Sequence, residues 1–380
     1  MSRNSTYQAA TAVAPTIEQH FLHQITAARQ NSYTPLATPP TAQQVEAIVD
    51  TAFWASLRHE EGRSVKISLA FVSPEQAGQP ILFSQLLPLT PAVLTKLAPG
   101  VDRPGIHVGV WVDENGLYIW GSTRVIPSLC FVVDVSEPGL LVVKTRRLDG
   151  FGKFANVAVL KGDQVQLVEE KSNGTGNQLG YLSTIIEKIP ALAQLEATIL
   201  VLIAVSMRAH KRGGSLLIVP ADTTNWQNSL VKPVLYSLQP SFTGLATLLL
   251  QTEEPLADNQ LKQDEIRREI DAIAGLTAID GATIMNNNYE LLAFGTKLGR
   301  PVNSVPVEKL IVTEPIIGST AKEMHPAQNG GTRHLSVAQF IYDQPDTLGL
   351  VASQDGKFTV FSWSQEHQMV NAHLIDALLL

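Results

Sequence analysis

Two short segments hold residue types able to do chemistry together: Asp280-Gly281-Ala282 and Gly330-Gly331-Thr332-Arg333-His334. A carboxylate beside a glycine can bind a divalent cation or accept a proton from a hydroxyl. Taken alone, Asp-Gly also reads as an ordinary β-turn. In the second segment the glycines let backbone N–H groups approach an anion. Thr332 offers a hydroxyl, Arg333 a planar fork matched to phosphate oxygens, and His334 a further donor. Taken alone, this segment reads equally well as a loop with an exposed arginine and a capping histidine. A helix from Ser336 onward places it at a helix N-terminus, where phosphate binds readily.

The rest of the chain predicts what positions these segments. Thr41 with Gln44 reads as a capping box, opening a helix that carries Val45, Ile48, Val49, Ala52 and Phe53 on one face. Alternating apolar residues predict strands at 65–71, 108–112, 117–120, 129–133, 140–144, 156–160 and 164–168. Asn115-Gly116, Asp149-Gly150 and Lys161-Gly162-Asp163 supply turns. His107, Asp113 and Glu114 read as surface residues near the first hairpin. Residues 64–170 are thus expected to form a mainly antiparallel β unit. Ser172–Asn177 reads as a flexible break, with no strand before it and no Lys-Ser/Thr pair to make a phosphate loop.

Helices are expected at 181–189, 191–210 and 263–274, with a buried strand at Ser215–Val219. Leu276–Ile279 is expected to lead as a strand into Asp280, and Glu290–Gly295 to return from a turn at Asn286-Asn287-Asn288. A hairpin is expected over 348–363 and a packing helix over 369–380. The domains read as a flexible leader at 1–40, a β-rich unit at 41–175 and a second unit at 176–380.

The chain has 380 residues, 44% of them hydrophobic and 17% charged, enough for two cores. The net charge of −7 gives no basic surface for direct nucleic-acid binding. Cys130, the single cysteine, excludes an intrachain disulfide and reads as a buried apolar residue. The longest apolar run, Ala197–Met207, falls short of the ~20 residues that span a bilayer. With no secretory h-region at the N-terminus, a cytoplasmic protein without membrane contact is expected.

The order Lys211-Arg212-Gly213-Gly214 before an apolar strand, then Asp280-Gly281-Ala282, then Gly331-Thr332-Arg333-His334, then Ser353-Gln354-Asp355-Gly356 resembles the diadenylate cyclase (DAC) domain over about residues 195–365. The resemblance implies an α+β or α/β fold whose mixed central sheet is flanked by helices. It implies that two ATP molecules condense to cyclic di-AMP and two pyrophosphates, at sites that meet face to face in a homo-oligomer. Asp280, with Gly281 and Ala282, matches the catalytic segment, where Mg²⁺ or Mn²⁺ acts on the attacking 3′-hydroxyl. Gly331, Thr332, Arg333, His334 and Ser353 match phosphate-binding positions. Gly295, Thr296 and Leu298 fall where the family builds part of its adenine pocket, and Asp355 falls where it has an acidic residue near phosphate and metal. The β-rich unit is similar to the probable sensor domains, of DACNV type, fused ahead of some members.

The chain departs from the family pattern at Leu335, where a second arginine is usual, and at Ile279, where a histidine often stands. The 300–328 connection is long and reads as a lid or an interface. Three readings stand: an active cyclase under sensor control, a degenerate module that binds ATP or a related nucleotide as a signal, and an interaction protein whose two motifs are ordinary turns.

Overall fold

In the computed structural model, which describes residues 5–31, 33, 35–148, 154–168, 179–250 and 260–380, two open sheets each carry helices. The N-terminal unit contains α1 (Gln8–Gln30), α2 (Ala42–Ser56), β1 (His59–Glu60), β2 (Arg63–Ser64), β3 (Ile67–Phe71), β4 (Ile81–Pro88), α3 (Pro91–Val101), β5 (His107–Asp113), β6 (Gly116–Thr123), β7 (Phe131–Glu137), β8 (Leu140–Arg146), β9 (Phe154–Lys161) and β10 (Gln164–Leu167). Eight strands form one sheet in the order β10-β9-β8-β7-β3-β5-β6-β4; β3 and β5 pair in parallel and the other pairs are antiparallel. Strand alternation divides the side chains: Leu69, Phe71 and Val133 face the helices, while Ala70, Val72, Cys130 and Val132 build a smaller cluster on the other face. Thr41 caps α2 through the expected box, accepting from Gln44 N while Gln44 Oε1 accepts from Thr41 N.

Two expectations need correction here, and one strand went unforeseen. Most of the supposed leader is α1, which buries Ala10, Val13, Ala14, Ile17 and Phe21 at helical spacing; the many polar residues between them mask the stripe. His107 is buried, its Nδ1 2.7 Å from Ser68 Oγ, although it lies at a strand end. The edge strand β4 was not expected, because its apolar residues Ile81, Leu82 and Leu86 are exposed and follow no buried alternation. Asp149-Gly150 and the break at 172–177 lie outside the described residues.

The C-terminal unit contains α4 (Leu179–Glu187), α5 (Ala197–Ala209), β11 (Gly214–Val219), β12 (Tyr236–Phe242), α6 (Gly244–Leu250), α7 (Gln260–Leu276), β13 (Ala282–Asn286), β14 (Leu291–Thr296), β15 (Leu310–Thr313), β16 (Lys322–Met324), α8 (Pro326–Asn329), α9 (Thr332–Asp343), β17 (Leu348–Ala352), β18 (Phe358–Ser364), β19 (Met369–Leu374) and α10 (Asp376–Leu379). Its nine-stranded sheet has the order β12-β14-β13-β11-β17-β18-β19-β15-β16. The pairs β11/β13 and β15/β19 are parallel. Every residue of the central strand β11 is buried, Leu216 and Ile218 toward α5 and α7, Leu217 and Val219 toward α9. Burial on both faces is why this strand reads as a continuous apolar run.

Here too the sequence misleads in places. Residues 276–279 do not form a strand: Thr277, Ala278 and Ile279 donate their N–H groups to the carbonyls of Ala274, Gly275 and Leu276, winding out the end of α7. Met369–Leu374 is a strand rather than part of a helix, because Val370 and Ala372 alternate inward and the segment pairs with both β18 and β15. The 300–328 connection supplies β15, β16 and the first part of α8, so much of it belongs to the sheet. The helix expected at 191–210 is shorter, because Pro190–Leu192 forms a separate 3-10 turn and α5 begins at Ala197. Among the described residues no helix is long and apolar enough to cross a membrane.

Candidate functional site

The register of the sheet brings the two motifs to one end of it. Ser215 at the start of β11 lies opposite Ala282 at the start of β13, and Gly214 lies opposite Ala352 at the end of β17. Ala282 also pairs with Thr296 at the end of β14. The turns that precede β11 and β13 and follow β14 and β17 therefore converge. They carry Arg212-Gly213, Asp280-Gly281, Lys297 and Ser353-Gln354-Asp355.

Gly281 makes the tightest of these contacts. Its φ is +117°, and a Cβ there would lie 2.5 Å from the Gly295 carbonyl carbon and 2.8 Å from Thr296 N. Only a glycine allows the Asp280 turn to rest on the β14 backbone this closely. Asp280 itself projects outward, its side chain 84% exposed, and Oδ2 lies 2.5 Å from Lys297 Nζ. The hydrogen bond and charge of Lys297 hold the Asp280 carboxyl below its ordinary range, and Arg333 adds to this from further off.

Arg333 arrives from another element. Gly331 is the N-cap of α9, so Thr332, Arg333 and His334 form its first turn. The positive end of the helix dipole and the unpaired first-turn N–H groups therefore lie at this end of the sheet. Arg333 reaches across to Gly213, where a Cβ would lie 3.1 Å from one guanidinium nitrogen. Its Nε is buried and has no hydrogen-bond partner among the described residues. Buried donors normally have partners, and a guanidinium N–H at a helix N-terminus is a donor suited to an anionic acceptor. His210 lies close by. Its Nδ1 accepts from Arg212 N and its Nε2 faces Thr277 Oγ1. Burial first, and then Arg212 and Arg333, lower its pKa.

His334 is placed differently from its neighbours. It is buried, packs edge-on against Phe361 and lies 3.3 Å from Thr359 Oγ1 through Nε2. Its ring fills the place a Gly330 side chain would take. Burial lowers its pKa, so the ring is a neutral buttress under the loop rather than an outward donor. Thr332 is exposed beside Arg333. Ser353 Oγ donates to Asp355 Oδ1, and Asp355 also pairs with Lys357 at 3.8 Å. Leu298 bridges to Leu230 and packs into the apolar layer under the sheet, while Thr296 and Ala282 are buried. Asp280 and Asp355 each engage a lysine, and among the described residues no group of three His, Cys, Asp or Glu could hold a metal ion.

Two residues of this end escaped the sequence reading. Lys297 follows Gly295-Thr296 directly, and only the turn of the chain brings it to Asp280. Tyr236 sits on the edge strand β12, 48% exposed, with its ring stacked on Phe294 at 5.0 Å and 5°. A Cβ at Gly295 would lie 2.9 Å from this ring and 3.2 Å from Ile279, so Gly295 keeps the aromatic face next to the Asp280 turn. No local pattern marks Tyr236, because its role comes from a cross-strand pairing.

The comparisons with known proteins bear on the other unit. The family model of the probable sensor domain DACNV matches residues 34–124, from before α2 to the end of β6. No curated protein matches the chain. The N-terminal unit thus carries a probable sensor domain of the DACNV type, and β7–β10 extend its sheet beyond the matched residues.

Proposed function

We propose that the C-terminal unit, residues 176–380, is a diadenylate-cyclase-like nucleotide site under the control of the N-terminal sensor domain. The reaction joins the 3′-oxygen of each ATP to the α-phosphorus of the other. Two phosphoester bonds form, two phosphoanhydride bonds break, and two pyrophosphates and the two hydroxyl protons leave. The observation that carries the reading is Arg333 in the first turn of α9, whose guanidinium reaches Gly213 and acts on the charge of Asp280, and whose buried Nε has no partner among the described residues. The DACNV sensor domain, a type linked to diadenylate cyclases, supports it independently.

Each residue then has a task. Arg333 and the first-turn N–H groups of α9 take phosphate oxygens, with Thr332 and Ser353 as hydroxyl partners. Gly281 and Ala282 set the Asp280 turn against Gly295 and Thr296, and Leu298 forms the apolar floor beneath the base. Asp280 stands at the hydroxyl side as a carboxylate kept ionised by Lys297. Mg²⁺ or Mn²⁺ fits this donor set because such ions draw most of their oxygens from phosphates and water and need few protein carboxylates. Asp280 would hold the ion, which supplies charge neutralisation at the reacting phosphate. Asp355, tied to Ser353 and Lys357, is the second candidate. Two such sites must face one another, which requires at least transient pairing of two chains.

Incubation with ATP and Mg²⁺ or Mn²⁺ at high protein concentration, followed by mass spectrometry, is expected to yield cyclic di-AMP that is lost in Asp280→Asn and Arg333→Ala. No product with either metal would reject the cyclase. A second reading rests on Leu335, which is 39% exposed in the first turns of α9 and offers no charge where the family pattern has arginine. On that reading the site binds ATP as a signal without turning it over. Calorimetric binding without product would favour it, and activity gained in Leu335→Arg would establish it.

A further inference from the structure

The two sheets are joined through α10, and the junction continues to the candidate site. Asn156 of β9 is buried and donates from Nδ2 to the carbonyls of Ala377 (2.9 Å) and Leu380 (3.2 Å). Ala377 packs among Val142, Val159 and Val168 of the N-terminal unit. Beside it Ile317 N donates to Leu167 O at 3.0 Å, and Val168 bridges to Ile316.

On its other side α10 grips the start of β18. Ile375 N donates to Phe358 O at 3.0 Å, and Asp376 Oδ1 accepts from Phe358 N at 2.5 Å. Phe358 is thus held by both of its backbone groups. The residue before it, Lys357, accepts from Ser353 N at 2.9 Å and pairs with Asp355, which in turn binds Ser353 Oγ. Hydrogen bonds, joined by the peptide links Asp376–Ala377 and Lys357–Phe358, therefore run from Asn156 in the N-terminal sheet to Ser353 at the site. Arg208 of α5 lies close enough to Asp376 to act on its charge, so the middle of this set is also tied to the helix layer.

We propose that α10 couples the N-terminal unit to the site, so that a displacement of the β8–β9–β10 end of the first sheet moves the 353–357 turn. The coupling rests on the nucleotide reading only in taking that turn as part of the site. Its physical basis is that α10 is anchored on one side by the buried Asn156–Ala377 bond and on the other by bonds to the buried Phe358, which hold position more firmly than solvent-exposed contacts do. Linkage requires that the effect run both ways: whatever orders the turn also orders β9 against α10.

Amide hydrogen exchange on the full chain tests it. Asn156→Ala is expected to speed exchange at Ser353, Gly356 and Phe358 by about fivefold or more, the low end of ordinary coupling, with β11 and β13 unaffected. Asp376→Ala is expected to do the same at the turn and also to loosen β9, while Asp376→Asn, which keeps an acceptor for Phe358 N, does so less. Faster exchange that stops at α10 would overturn the proposal. Should Asn156→Ala lose protection throughout β7 and β8, the Asp376→Ala arm decides: loosening of β9 supports the coupling and an unchanged β9 overturns it. Adding ATP separates this inference from the function. Failure of the wild-type chain to bind ATP removes the nucleotide reading and leaves the exchange arms, which need no nucleotide, to judge the coupling.

Discussion

Lys297 Nζ lies 2.5 Å from Asp280 Oδ2, with both side chains mostly in solvent. The pair lowers the Asp280 pKa, so the carboxylate gains stability in the folded state that is present above the ordinary aspartate range and lost as pH falls through the lowered value. The exposure keeps this contribution small, under about 1 kcal/mol. The same pair competes with any divalent cation for Asp280. Lys297→Met is expected to raise the Asp280 pKa toward the ordinary aspartate range, read by carboxyl-carbon NMR titration. It should also tighten Mn²⁺ binding by up to about fivefold, the equivalent of that ion pair, read by electron paramagnetic resonance. An unchanged titration would show that the lysine does not hold the carboxylate in solution.

Gly281 tests the scaffold rather than the charge. A methyl group there meets the Gly295 carbonyl at 2.5 Å, and the residue must keep φ near +117°. Backbone atoms cannot step aside as a flexible side chain does. Gly281→Ala is expected to cost about 1–3 kcal/mol by strain and overpacking, measured by urea denaturation. Gly356→Ala, at a positive φ but with open space around it, is the control for strain alone.

The sequence carries the inner frame of this protein well and its outer edges badly. The capping box at Thr41, the buried strand β11, the β5–β6 hairpin and the N-terminal position of Thr332-Arg333-His334 on α9 all follow from local pattern. Where pattern fails, the cause lies outside the segment. β4 and β12 are edge strands with exposed apolar residues, so neither alternates cleanly. β19 carries Met, Val, Ala and Leu, residues that a helix would also accept, and its strand pairing is decided by β18 and β15. At the candidate site, residue types suggested a chemistry, but the direction of each side chain comes from packing. Arg333 and His334 are neighbours in sequence, yet one faces the end of the sheet and the other the core.

His334 supplies a test by pH. Burial lowers its pKa, so the unfolded chain binds the proton more readily than the folded one. Stability is therefore full above the unfolded value of about 6.5 and declines as pH falls from there toward the lowered folded value. Heating curves between about pH 5 and 7 are expected to show a fall in Tm toward acid that is shallower in His334→Gln. His210, whose pKa is lowered as well, contributes in the same direction, so His210→Gln is the companion variant. Equal slopes in wild type and His334→Gln would mean that His334 is not held neutral by its burial.

Tyr236 separates base recognition from phosphate recognition. Its ring is covered on one side by Phe294, and as part of the edge strand β12 it has no further strand beyond it among the described residues. It stands next to Gly295, across which lies the Asp280 turn. A purine laid on its open face would place the sugar toward Asp280 and the phosphates toward Arg333. Base–aromatic stacking contributes about 1–3 kcal/mol in single-strand binders, so Tyr236→Ala is expected to weaken ATP binding by roughly 5- to 150-fold on that scale. Tyr236→Phe should keep the affinity, because the stacking surface and not the hydroxyl makes the contact. Tripolyphosphate, which lacks the base, should bind wild type and Tyr236→Ala alike and lose affinity in Arg333→Ala. Equal losses of ATP and tripolyphosphate in Tyr236→Ala would assign the ring to holding the Gly295 turn instead of the base.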